Sequence, residues 1–200
     1  MFVILDTSAI NLDDDLSNPD LERLLSRVGA ASLVVCIPEV VVLEMVAHRK
    51  RRIESAQRDL ENAREKLGGF LGRDVPTDVT VGEIDDSVAK FETEFRTSLQ
   101  ARGMRVIGMP AAASDVRVLL ARDFANRKPF NSGRGMRDAL IWESVLELCA
   151  GETRPLALIT KNTKDFADPS GDLLHSDLRA DLEAVGFPPD DAEIHQTIRA

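Results

Sequence analysis

Four oxygen-bearing side chains lie at positions from which a fold could bring them together. Asp6 and Asn162 each follow a short apolar run. Glu44 lies within the apolar stretch after another run, and Asp138 opens an apolar helical segment. Carboxylates held close together repel one another and resist ionisation unless a cation neutralises them. Oxygen ligands suit Mg²⁺ or Mn²⁺, and such an ion promotes phosphodiester hydrolysis by activating water. The four positions therefore predict a divalent-metal site for phosphodiester cleavage.

Each of these side chains also has a structural explanation when it is considered alone. An Asp after a strand or at the start of a helix commonly caps the helix or forms a turn, which applies to Asp6 and Asp138. Glu44 could form a structural salt bridge within its apolar surroundings. Asp165, before Phe166, is more typical of a loop or a helix cap than of a metal ligand. The metal-site hypothesis therefore depends on the acids occurring together.

The elements that position these residues alternate along the chain. Short apolar runs typical of buried strands occur at residues 2–5, 32–37, 105–109 and 156–160. Helical patterns occur at residues 18–28, 39–67, 82–101, 114–124, 135–150 and 176–185. Strands that alternate with helices form a mainly parallel sheet covered on both faces. In such sheets the functional crevice lies beyond the carboxyl ends of the strands, which is where Asp6 and Asn162 occur.

Residues 50–102 exceed what a minimal α/β layout requires. Apolar residues recur there at alternating spacings of three and four, first at Ile53, Ala56, Leu60, Ala63 and Leu67, and then at Ile84, Val88, Phe91, Phe95 and Leu99. Glycines and a proline separate the two series. Two narrow apolar seams joined by such a loop predict an antiparallel helical hairpin, packed seam to seam and inserted into or projecting from the sheet domain.

Length and charge limit the classes of protein that remain. The chain has 200 residues, with 25 Lys and Arg against 34 Asp and Glu, and a net charge of −9. We therefore expect one domain over residues 1–200, with an acidic C-terminal segment at 168–200. That segment has eight acids and two arginines, so a basic surface can still form elsewhere. No apolar run reaches the roughly 20 residues of a membrane span, and we expect a cytoplasmic protein with no membrane partner.

Two groups of basic residues lie close in sequence to the acids. Arg49 and Arg52 belong to a basic cluster that follows Glu44, and Arg134 and Arg137 precede Asp138. Arginine suits bidentate contacts to phosphate, so both groups are candidates for binding a nucleic-acid backbone. The alternative for the first group is a solvated helix face.

Four segments together resemble the PIN-domain family. They are FVILDTS at residues 2–8, IPEVVVLE at 37–44, RGMRDALI at 134–141 and LITKNTKDF at 158–166. The third is similar to the PIN-like branch that has a basic-Gly-hydrophobic-basic-Asp motif. The segments occur in the order the family has and bracket nearly the whole chain. One departure is Asn162, which occupies a position where many PIN domains have Asp, so one negative charge is missing.

The resemblance implies a three-layer α/β sandwich and a ribonuclease dependent on Mg²⁺ or Mn²⁺. It implies that Asp6, Glu44 and Asp138 are catalytic and bind metal together with Asn162. Substrate-binding positions would be Thr7, Ser8, Arg49, Arg52, Arg134, Arg137 and Thr160. The implied substrate is RNA in single-stranded or loop regions, and an antitoxin or a second copy is the implied protein partner. A toxin of a toxin–antitoxin pair and a catalytically weak RNA-binding or regulatory module remain open as alternatives.

Overall fold

A parallel sheet organises the chain in a computed structural model that describes residues 1–10, 16, 18–28, 33–76 and 80–198. The strands of these residues are β1 Phe2–Leu5, β2 Val34–Pro38, β3 Arg105–Ile107, β4 Leu156–Ile159 and β5 Ala192–His195. Every neighbouring pair is parallel, and the order across the sheet is β3-β2-β1-β4-β5. All side chains of β1 and β4 are buried, which is why these strands are continuous apolar runs rather than alternating patterns.

Helices flank the sheet and complete an α/β three-layer sandwich. Those in the described ranges are α1 Pro19–Leu25, α2 Glu39–Leu71, α3 Val81–Ala101, α4 Val116–Phe124, α5 Met136–Cys149, α6 Thr163–Phe166 and α7 Ser176–Ala184. The predicted α/β class with a mainly parallel sheet is confirmed. Residues 32, 77–79 and 199–200, which belong to predicted segments, lie outside the described residues.

The sequence prediction did not include β5. Its residues alternate, with Ala192 and Ile194 buried and Glu193 and His195 exposed. Four residues within an acidic segment are too few for this alternation to be recognised, and β5 is stabilised mainly by pairing with β4. The acidic C-terminal segment therefore contributes a strand to the sheet instead of extending away from it.

The helical hairpin begins inside the domain. Because α2 is continuous from Glu39, the helix that carries Glu44 is also the first arm of the hairpin. Ion pairs of Arg96 with Glu39 at 2.5 Å and of Lys50 with Asp85 at 3.0 Å show that α2 and α3 are antiparallel.

The predicted seam-to-seam packing is wrong for the distal part of α2. There, Leu60 and Leu67 are 48% and 47% exposed. The reason is length, since α2 has 33 residues and α3 only 21. On α3 the seam does pack, with Ile84, Phe95 and Leu99 buried.

A buried ion-pair network holds α5 in place behind the sheet edge. Asp181 on α7 is 7% exposed and accepts hydrogen bonds from Trp142 Nε1 at 3.0 Å and from Arg122 Nη2 at 2.6 Å. Arg127 adds a further bond to the same carboxylate at 2.8 Å. A buried charge is tolerated when it is paired and hydrogen-bonded in this way. The network fixes the helix whose first turn carries Arg137 and Asp138.

Candidate active site

The strand ends bring two segments that are far apart in sequence into contact. Leu5 of β1 is in register with Ile159 of β4, and the Asp6 N–H donates to the Ile159 carbonyl at 3.1 Å. Asp6 and Thr160 therefore leave adjacent strands at the same edge. The strand order runs from β1 to β2 and β3 on one side and to β4 and β5 on the other. This reversal at β1 is where open α/β sheets form their ligand crevice.

Hydrogen bonds orient the carboxylate of Asp6, a residue that is only 5% exposed. One oxygen accepts from the Thr7 N–H at 2.6 Å. The other accepts from Ser8 Oγ at 2.8 Å and from Thr160 Oγ1 at 2.7 Å. Thr160 Oγ1 also accepts from the Asn162 N–H at 3.0 Å. The hydroxyls of Thr7, Ser8 and Thr160, predicted to bind substrate, thus serve in this structure to position acids.

Glu44 reaches the same edge from α2. Its Oε2 accepts a hydrogen bond from Thr7 Oγ1 at 2.7 Å. Its Oε1 forms an ion pair with Arg137 Nη1 of α5. His48 Nε2, one helical turn further along α2, is 3.9 Å from the same oxygen. Glu44 on α2 therefore contacts both the segment after β1, through Thr7, and α5, through Arg137.

A sharp turn places the third acid. Gly135, the residue before α5, has φ of 117°, and a Cβ there would lie 2.6 Å from the Pro129 carbonyl oxygen. Only glycine fits this backbone without movement of its neighbours. The turn starts α5 so that Arg137 and Asp138 both lie in its first turn.

Burial and the nearby negative charges raise the pKa of Asp138. Burial contributes most, and together with the negative charges of Asp6, Asp165 and Glu44 it raises the pKa of the Asp138 carboxyl from 3.8 to about 6, although a hydrogen bond from Asn162 opposes the shift. This is the behaviour of acids that share one partly dehydrated site. The two acids that the sequence placed far apart, Asp6 and Asp138, are therefore close enough to interact electrostatically.

These side chains line one cavity of about 330 Å³, which we call the acidic cavity. Its lining consists of Asp6, Thr7, Ser8, Glu44, His48, Arg137, Asp138 and Asn162. The four predicted metal ligands all belong to it. Thr160 is fully buried beneath it and bonds to Asp6.

Three predicted phosphate ligands lie outside the lining of the acidic cavity. Arg49 on α2 places its guanidinium 5.5 Å from the ring centre of Phe91, so it packs against α3. Arg52 is exposed on α2. Arg134 is exposed in a tight turn that pairs its backbone with Asn131. Of the four predicted arginines, Arg137 alone belongs to the lining set.

Two residues near the cavity were not among the predicted site residues. His48 could have been found from its spacing, since residues four apart share a helix face and Glu44 precedes it by four. Asp165 was interpreted as a loop or cap residue, yet its charge acts on Asp138. Its own partner is Lys128, whose Nζ lies 3.3 Å away. No local pattern predicts that pair, because it joins the loop that carries Lys128 to the short helix α6, which is distant in sequence.

The donor set of the acidic cavity fits a divalent cation. It offers three carboxylates and an amide oxygen, all hard ligands, and the negative charges of Asp6 and Glu44 contribute, after burial, to the raised pKa of Asp138. Among the described residues, no three His, Cys, Asp or Glu side chains are already spaced to hold an ion. The outer oxygen of Glu44 is instead paired with Arg137.

The sheet is all parallel, and acids gather at the point where its strand order reverses. These features define an α/β protein with a crevice at the carboxyl ends of its strands. Residues 3–166 match the family profile of the PIN domain, so the chain belongs to the PIN-domain family. Members are generally nucleases, and PIN-domain nucleases typically use divalent metal ions. No curated protein sequence matches the chain significantly. In the described ranges, no helix is both long and apolar enough to cross a membrane.

Proposed function

We propose that the chain is an endoribonuclease that depends on Mg²⁺ or Mn²⁺. Asp6, Glu44 and Asp138 bind the ion, with Asn162 at the rim of the site or bound through water. The observation that supports this proposal most directly is the acidic cavity, in which side chains from two strand ends and two helices share one space. Two buried thiols without a disulfide, Cys36 and Cys149, support a cytoplasmic location.

The bound ion would activate a water molecule and stabilise negative charge on the scissile phosphate. The chain itself holds the acids in fixed orientations. Thr160 and Ser8 fix one oxygen of Asp6, and Thr7 joins Asp6 to Glu44 through its N–H and its hydroxyl. Because these donors are neutral, they orient the carboxylates without cancelling the charge that attracts a cation.

Arg137 is the proposed contact for RNA phosphate at the cavity. Its side chain is 65% exposed, so the guanidinium can reach a bound strand while remaining beside Glu44. Arg134 lies three residues earlier, and Arg49 and Arg52 extend the basic surface along α2. The acidic C-terminal segment does not prevent RNA binding, because charges are screened over about 8 Å at physiological salt.

Cleavage assays test this function directly. Single-stranded RNA, structured RNA and DNA of matched sequence are incubated with the protein and Mn²⁺, Mg²⁺ or EDTA. We expect internal cleavage of RNA with either metal, none with EDTA, and loss of most activity in Asp6→Asn. Asp86→Asn, which removes an exposed acid on α3, serves as the matched control and should retain full activity. Activity that survives both EDTA and Asp6→Asn would rule out the proposal.

A second candidate function is an RNA-binding module with weak or no catalysis. Two observations favour it: the neutral Asn162 lines the cavity, and Arg137 already pairs with Glu44. The variant Asn162→Asp separates the two functions. For a nuclease we expect tighter Mn²⁺ binding and cleavage that is at least maintained, because a charged ligand replaces a neutral one. RNA binding without cleavage, in both the natural protein and Asn162→Asp, would establish the second candidate.

A further inference from the structure

The distal half of α2 extends past its partner helix. The pairs Glu39–Arg96 and Lys50–Asp85 place the start of α3 beside the middle of α2. Beyond this point the described part of α3 offers no residues to pack on α2. Among the described residues, the tip of the hairpin is thus a single helix, and only the return segment 72–75 lies against it.

An apolar stripe runs along this uncovered part. We call it the distal stripe, and it consists of Ala56, Leu60, Ala63, Leu67 and Phe70. All five are exposed, and Phe70 is 89% exposed. The return segment 72–75 lies on a neighbouring face of the helix, beside Arg64 and Gly68. Among the described residues the stripe therefore remains open, although segment 72–75 folds back along the same helix.

The composition of the distal stripe is suited to packing against the same stripe of a second copy, with the two helices antiparallel. Its spacing of four, three, four and three is that of a coiled-coil seam. In an antiparallel pair, each Leu60 faces Ala63 of the other helix, and each Leu67 faces Ala56. Large side chains then meet small ones in every central layer, which allows the two helices to approach closely.

Charges beside the stripe point to the same partner. Asp59 and Lys66 are seven residues apart on its open side, and neither forms an ion pair within the ranges that the structure describes. In the antiparallel pair, Asp59 of each helix faces Lys66 of the other, which creates two salt bridges. In a parallel pair Asp59 would instead face Arg64. The return segment already lies on that side of the helix, so it would obstruct this contact.

We propose that the distal stripe is a docking surface for a second copy of this chain, which binds antiparallel. The inference does not rest on the nuclease function. Residues 56–70 form a contact about 22 Å long at about 1.5 Å per residue. Such a contact is at the small end of specific interfaces, so the dimer forms in a concentration-dependent way. The two sheet domains lie at opposite ends, each with its own acidic cavity.

Sedimentation velocity of the full chain over a wide concentration range tests the proposal. We expect the average mass to rise from 22.0 kDa toward twice that value. The double variant Leu60→Glu/Leu67→Glu should remain monomeric with an unchanged circular dichroism spectrum. Phe124→Glu is the matched control, since Phe124 is 82% exposed on α4, and it should dimerise normally. A natural protein that stays monomeric at all concentrations, or equal weakening by the control, would overturn the proposal.

Charge exchange tests the antiparallel register. Asp59→Lys should weaken dimerisation roughly tenfold, because two attractive contacts become repulsive. The double exchange Asp59→Lys/Lys66→Asp should restore it, since each new Lys again faces an Asp. Failure of the double exchange to restore the dimer would overturn the antiparallel arrangement, because in a parallel pair the new Lys would face Arg64.

Discussion

Arg137 and Glu44 form an ion pair across the acidic cavity although 93 residues separate them in the chain. The same Glu44 carboxylate accepts a hydrogen bond from Thr7 through its other oxygen. One of the proposed metal ligands is thus already partly neutralised by an arginine. We infer that Arg137 has two opposing effects, since it competes with a cation for Glu44 and offers a contact to phosphate.

Removing Arg137 should therefore improve metal binding. For Arg137→Gln we expect Mn²⁺ affinity without RNA to rise several-fold, because an ion pair with one exposed partner contributes about 1 kcal/mol or less. Isothermal titration calorimetry measures the change. Arg134→Gln is the control, since Arg134 is exposed and outside the cavity lining, and its Mn²⁺ affinity should not change. Equal affinity in all three proteins would show that Arg137 does not hold Glu44 away from the metal.

RNA binding should respond in the opposite direction. Neutralising Arg134 and Arg137 together should raise KM for RNA and flatten its dependence on salt, since fewer counterions are released on binding. Neutralising Arg58 and Arg64 on the distal part of α2 should have a much smaller effect. Steady-state kinetics at several salt concentrations distinguishes the two pairs. If both pairs had the same effect, overall charge rather than a positioned phosphate contact would govern binding.

The stability of the metal-free protein should depend on pH through Asp138. Its pKa is raised from 3.8 to about 6 in the fold, so ionisation costs stability as pH rises between these values. Asp138→Asn should therefore be more stable than the natural protein by roughly 1–2 kcal/mol above pH 6, allowing for solvent screening. The difference should shrink as pH falls from 6 and vanish below about pH 3, where the carboxyl is protonated in both the folded and the unfolded states.

Urea unfolding at several pH values measures this difference. Saturating Mg²⁺ should stabilise the natural protein and not Asp138→Asn, because only the former keeps the full set of acids. Asp86→Asn again serves as the control and should show no such pH dependence. A stability gain in Asp138→Asn that is constant from pH 4 to pH 8 would mean that charge repulsion is not its cause.

Thr160 should matter through the orientation of Asp6. The variant Thr160→Val removes the hydrogen bond to Asp6 and the acceptor for the Asn162 N–H. We expect a stability loss of about 1–3 kcal/mol, since a buried carboxylate loses a donor, together with lower kcat and nearly unchanged KM. Thr160→Ser keeps the hydroxyl and should recover most of both. A higher KM with an unchanged kcat would instead assign Thr160 to substrate binding.

Local sequence determined much of this protein. The apolar runs at Phe2–Leu5 and Leu156–Ile159 are buried strands because a central parallel strand has no solvent-exposed face that would call for polar residues. The polar side chains after these strands, Asp6 and Asn162, were therefore predictable at one edge of the sheet. Alternating spacings of three and four likewise predicted that α2 and α3 would carry apolar seams.

Only the tertiary structure decided which groups meet. The pairing of Arg137 with Glu44, the influence of Asp165 on Asp138 and the addition of β5 to β4 all join residues far apart in the chain. The exposure of Leu60 and Leu67 depends on the unequal lengths of two helices and on the path of the segment between them. Periodicity reports which face of an element is apolar, whereas the neighbour that covers that face is chosen by the packing of the whole chain.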